Sequence, residues 1–119
     1  MINFKSMKGL IEMTPTEIKR SYQQLAQGIE NFIKYNEGAD EAMTLTLEAT
    51  RAEIEAKRLS VKNFEYTRIW GSTQEVTDRL KDAAVEREDE KSKYRQYSME
   101  FTLAKCNQII EELQELENE

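Results

Sequence analysis

The chain has 119 residues, of which 34% are charged, and its formal net charge is −6 at pH 7. It contains no histidine and one cysteine, which excludes zinc sites of the Cys/His type and nucleophilic systems that depend on an imidazole base. Its four glycines are isolated, so no Gly-rich phosphate-binding loop is present. We therefore expect a protein that is not an enzyme, with no catalytic residue, no cofactor and no metal.

The composition is typical of a helix-rich chain, since it includes only one proline and four glycines. No run of residues approaches the about 20 apolar positions of a membrane span, and the first residues lack the continuous apolar segment of a signal peptide. A single cysteine cannot form an internal disulfide, which agrees with a reducing compartment. We predict one all-α domain over residues 1–119, located in the cytoplasm and without membrane contact.

The first 13 residues form an N-terminal arm in which apolar and polar side chains are mixed without a sustained period. Two interpretations stay open: a short amphipathic turn that packs on the bundle, and a partly ordered arm. The apolar residues concerned are Ile2, Phe4, Met7, Leu10 and Ile11.

The first predicted helix, residues 14–37, opens at Thr14-Pro15-Thr16-Glu17, which combines a capping box with proline at the first helical position. Gly38 is expected to end it. Its apolar seam has the alternating spacing of four and three residues that is typical of packed helices. The seam consists of Ile18, Tyr22, Leu25, Ile29 and Phe32.

The second predicted helix, residues 39–70, carries two adjacent stripes and therefore needs two packing partners. The larger stripe consists of Met43, Leu47, Thr50, Ile54, Lys57, Val61, Phe64 and Arg68. The alanine stripe consists of Ala42, Leu45, Ala49, Ala52, Ala56 and Leu59. We assign the larger stripe to the third helix, and the alanine stripe to the first helix or to another subunit.

A corner at residues 69–73 is expected to separate the second and third helices. Gly71 is suited to a left-handed helix end, and Ser72 with Glu75 forms a capping box for the next helix. So short a connection folds the two helices back on each other as an antiparallel hairpin. This hairpin would dominate a three-helix arrangement.

The third predicted helix, residues 72–117, passes through residues 86–93, which contain no apolar side chain but also no Gly or Pro, and we expect it to be continuous. Its ~45 residues span ~67 Å, against ~45 Å for the second helix, so its end would overhang its partner. The N-terminal arm is a competing cover, but an exposed apolar end favours self-association. The predicted oligomer interface is Leu103, Cys106, Ile109, Ile110, Leu113 and Leu116.

Basic and aromatic residues are interleaved just before the corner, in a chain that is acidic elsewhere. Cations for phosphates and rings for base stacking are what a single-stranded nucleic-acid surface requires. The alternative is that the rings are core residues and the cations line a solvated helix face. The candidate residues for nucleic-acid or partner binding are Lys57, Arg58, Lys62, Tyr66, Arg68 and Trp70.

The segment from Leu47 to Leu116 combines a basic, alanine-bearing helix, a short Gly-Ser/Thr connection, the pair Arg79-Leu80, an acidic stretch before Tyr94 and an Ile/Leu-rich end. In these features it resembles small helical proteins of phage and prophage genomes and, more distantly, the recombination mediators of T-even phages. The resemblance implies an oligomeric helical protein that contacts single-stranded DNA and a recombinase.

The pair Trp70-Gly71 resembles the Trp-x-Gly bend of the small helical hairpins of type VII secretion, without the spacer residue. Their Tyr-x-x-x-Asp/Glu export signal is not matched, because Phe101 stands four residues after Tyr97.

Three functional hypotheses follow from these patterns. The first is a non-catalytic interaction protein of a phage or mobile element that binds a host or phage protein, for example to inhibit a host defence nuclease. The second is a recombination accessory protein that binds single-stranded DNA. The third is a helical hairpin related to type VII secretion.

Overall fold

The computed structural model describes residues 13–85 and 91–118. Within them the chain forms four α-helices, one 3₁₀ turn and no strand, so the prediction of an all-α chain is confirmed for this part. The elements are α1 (Pro15–Tyr35), α2 (Ala39–Lys62), the 3₁₀ turn (Phe64–Tyr66), α3 (Thr67–Ala83) and α4 (Lys91–Glu117). The predicted N-terminal arm falls almost wholly outside the described residues.

The helices α1 and α4 pack side by side and run in opposite directions. Near the start of α1, the Lys19 ammonium lies 2.8 Å from Gln114 Oε1 close to the end of α4. At the other end, Gln96 in the first turns of α4 donates to Asn36 Oδ1, just after α1, at 2.9 Å.

The remaining contacts close the four helices into a ring in the order α1, α2, α3, α4. Glu55 late in α2 accepts a hydrogen bond from the Met13 amide, just before α1, at 2.9 Å. Between α3 and α4, ion pairs join Glu75 to Lys105 and Arg68 to Glu112. Successive helices therefore alternate in direction around the ring.

The start of α1 is the predicted capping box. Thr14 Oγ1 accepts from the Glu17 amide at 3.2 Å, and the Glu17 carboxylate accepts from the Thr14 amide. The end of α1 differs from prediction, because Asn36, not Gly38, takes the left-handed conformation, with φ 50°. Asparagine tolerates this region because its short polar side chain bonds locally.

The predicted corner at residues 69–73 is wrong, and so is the helix predicted over 39–70. The chain leaves α2 at Asn63, which is extended and whose Oδ1 accepts from the Glu65 amide at 3.0 Å. Such a side-chain turn replaces the helical bonds lost at this point. Gly71 lies inside α3, where the burial of neighbouring Ile69 offsets the roughly 1 kcal/mol that glycine costs in a helix.

The continuous helix predicted over residues 72–117 is also wrong, because α3 ends at Ala83. The buried Arg95 of α4 donates from Nε to the Ala83 carbonyl at 2.8 Å and from a terminal guanidinium nitrogen to the Val85 carbonyl at 3.0 Å. A cation at this position satisfies carbonyls that the helix leaves unpaired and opposes the negative end of its dipole. Residues 86–93 contain no Gly or Pro. The helix nevertheless ends at Ala83, because Arg95 of α4 binds the carbonyl groups at its end.

The predicted overhang is therefore wrong, because the break places α4 alongside α1 over its length. Cys106, Ile109 and Leu113 are fully buried in the core, and Leu103, Ile110 and Leu116 pack partly buried against it. The geometric reason for an oligomer interface at these six residues no longer holds.

The larger stripe of α2 does not pack on the next helix as predicted, because its large aliphatic side chains are exposed. The alanine stripe faces the core, with Ala42, Ala49, Ala52 and Ala56 all at most 2% exposed. Side chains this small let α2 approach its neighbours closely. Gly28 of α1 extends this approach, since a Cβ atom built there would lie 2.7 Å from Leu45 Cδ2.

This arrangement predicts different responses to substitution on the two faces of α2. Ala49→Leu adds volume to a closed interface and should lower the free energy of unfolding by about 1–3 kcal/mol. Leu47→Ala, its counterpart on the exposed face, should change it by less than about 0.5 kcal/mol. Urea unfolding followed by the fluorescence of Trp70 at low nanomolar protein concentration, where self-association contributes least, measures both. A larger loss for Leu47→Ala would contradict this assignment.

Candidate functional site

The outer face of α2 exposes most of the larger stripe to solvent. The exposed fractions are 51% for Met43, 66% for Leu47, 55% for Ile54 and 80% for Val61. Spacings of four and seven residues keep these side chains on one side of the helix. They extend over ~27 Å along its axis.

Helix α2 thus has two apolar faces, and the residues that the structure describes cover only one of them. An exposed apolar face of this length typically marks an interaction site in a soluble protein.

The charges on α2 are divided along its length. Residues 39–50 include three acidic and no basic side chains, whereas residues 51–62 include four basic and two acidic ones. One of those two acids, Glu55, is buried and bonded to the Met13 amide. The outer face is therefore negative at its start and positive at its end, which also suits the dipole of α2.

The basic and aromatic residues predicted as a binding site differ in their burial and in their contacts. Tyr66 is a core residue at 9% exposure, and Trp70 is half-buried. The Lys57 ammonium lies 5.6 Å from the centre of the Trp70 ring, which is cation–π geometry. Of the residues predicted as a binding site, Lys57 and Trp70 thus lie close to each other.

The other predicted cations point to different neighbours. Arg58 lies 3.9 Å from Glu55 on its own helix, and Arg68 lies 3.5 Å from Glu112 on α4. Lys62 is exposed at the end of α2. A single-stranded nucleic acid follows a continuous basic groove. These cations contact different neighbours. Nucleic-acid binding therefore stays a prediction.

Polar residues within the larger stripe are the signal in the sequence that the stripe faces solvent. Lysine is almost never fully buried, so Lys57 at a regular position of the stripe argues against a core face. The alanine stripe contains no polar residue, which is the pattern of a closely packed interface.

Cys106 is enclosed in the core. Burial raises the pKa of its thiol to about 12, so the thiolate that would act as a nucleophile is suppressed at neutral pH. Burial likewise raises the pKa of Tyr22, whose side chain is fully enclosed in the same core.

Over residues 13–85 and 91–118, no helix combines the length and apolar content needed to cross a bilayer. The same residues contain no cluster of three or more His, Cys, Asp or Glu side chains that could hold a metal ion. The chain matches no protein-family model, no curated protein and no solved structure.

The burial of Cys106 predicts slow alkylation of the native protein. At pH 8, iodoacetamide should modify the native thiol at least about 100-fold more slowly than the thiol of the urea-unfolded chain, because both access and thiolate fraction are reduced. The unfolded chain is the matched control. Native and unfolded rates within tenfold of each other, measured by intact mass, would show that this part of the core is open.

Proposed function

We propose that this chain is a non-catalytic protein-interaction module and that the outer face of α2 is its contact surface. The observation that carries the proposal is the exposure of Met43, Leu47, Ile54 and Val61 in one helical register. The other face of α2 packs closely in the core through its alanines and against Gly28. Poor packing within the chain therefore does not explain the exposure of this stripe.

The chemistry of the surface fits another helix. Apolar side chains at spacings of four and seven residues are the anchors by which an amphipathic helix is recognised. Charged side chains on both sides of the stripe would fix the orientation of the bound helix more than its affinity. The partner therefore offers an apolar helical face about as long as α2.

The biological setting that we propose is a phage or mobile element, in which such a module binds a host or phage protein. Inhibition of a host defence nuclease is one form of this activity. The resemblance of residues 47–116 to small phage and prophage helical proteins supports this setting.

Site-specific photo-crosslinking tests the contact surface. A benzophenone amino acid at position 54 or 47 should give covalent protein adducts on irradiation, and both positions should capture the same partner peptide. The control is Asn107, which is exposed on α4. No adduct from position 54, or equal yields from 54 and 107, would reject the outer face of α2 as a contact surface.

A further inference from the structure

We propose that the outer face of α2 binds the same face of α2 in a second copy of the chain. The two helices lie antiparallel about a twofold axis. This inference rests on the proposed function and names the occupant of the same surface. A twofold interface requires one patch to be complementary to itself.

The apolar residues meet this requirement in position. Met43 and Val61 each lie nine residues from position 52. An antiparallel pairing centred there places Met43 against the partner's Val61, Ile54 against the partner's Thr50 and Leu47 against the partner's Lys57. The methyl group of Thr50 and the aliphatic stem of Lys57 then give Ile54 and Leu47 apolar neighbours.

The charges meet the requirement only in the antiparallel orientation. The acidic half of α2, with Asp40 and Glu48, comes to lie opposite the basic half of the second copy, with Arg58 and Lys62. A parallel pairing in the same register would place each of these residues beside its own copy. Opposed like charges disfavour that arrangement, so charge selects the orientation.

The two polar residues of the seam are already satisfied within one subunit. Thr50 Oγ1 donates to the Thr46 carbonyl at 2.8 Å, so its hydroxyl loses no partner when a second helix covers it. The Lys57 ammonium lies over the Trp70 ring of its own subunit, which leaves the aliphatic stem of Lys57 to face the seam. Neither residue adds an unpaired polar group to the interface.

Light scattering on the full chain tests the dimer. The protein should have twice its 14.0 kDa monomer mass at micromolar concentration. Ile54→Glu should weaken the dimer at least about 100-fold, because it places two carboxylates in an apolar seam. Asn107→Glu, which adds the same charge to an exposed site on α4, should leave the mass unchanged. A monomeric parent protein, or a dimer that survives Ile54→Glu, would overturn the inference.

Spin-label distances test the orientation without changing the apolar seam. Glu41 and Glu48 are exposed and one heptad apart, so labels at cysteines in these positions have matched lateral geometry. In the antiparallel dimer the separation along the axis should be about 21 Å greater for the Glu41→Cys labels than for the Glu48→Cys labels. Equal distances for the two positions would overturn the antiparallel arrangement.

The cross-linker at position 54 separates this inference from the proposed function. Cross-linked adducts with twice the monomer mass support both the interaction module and the dimer. Adducts with a different protein, found with a monomeric parent, overturn the second copy as partner and leave the interaction module standing. A link within one chain to residues 1–12 assigns the surface to the N-terminal arm and overturns the inference. No adduct and a monomeric mass reject both.

Discussion

The close approach of α2 to its neighbours is the constraint on which the rest of the structure depends. Alanines at 42, 49, 52 and 56, together with Gly28 against Leu45, bring the helix axes near enough to close the ring. Larger side chains would hold α2 away and open the core to water. Because the subunit uses the small residues, the large aliphatic residues of α2 are directed outward, where they can bind another molecule.

Local signals in the sequence predicted the helical class, the cap at Thr14 and the two-striped character of α2. Each depends on residues within one or two turns of each other. The ends of α2 and α3 were not predictable in this way. The chain turns at Asn63 and not at Gly71, because burial of Ile69 favours a helix that continues through the glycine. The end of α3 is capped by Arg95, which belongs to a different helix. These are tertiary effects that spacing alone does not reveal.

The assignment of the larger stripe to the next helix failed for a related reason. A hydrophobic scale ranks Leu47 and Ile54 above Ala49 and Ala52, so it favours burial of the larger stripe. Packing distance decided the outcome instead, because small residues allow more contact between helices. Lys57 within the larger stripe was the available signal. Because this stripe is exposed, the contact surface that we propose is the outer face of α2 and not the end of α4.

The most direct test of this account is a methyl nuclear Overhauser spectrum of the isotope-labelled protein. We predict a strong cross-peak between the Gly28 Hα protons and a Leu45 methyl group, which would show that α1 and α2 meet through their small residues. The methyl groups of Leu47 and Ile54 should show no cross-peak to the core residue Ile29. Cross-peaks from Leu47 and Ile54 to Ile29, with none between Gly28 and Leu45, would contradict the account.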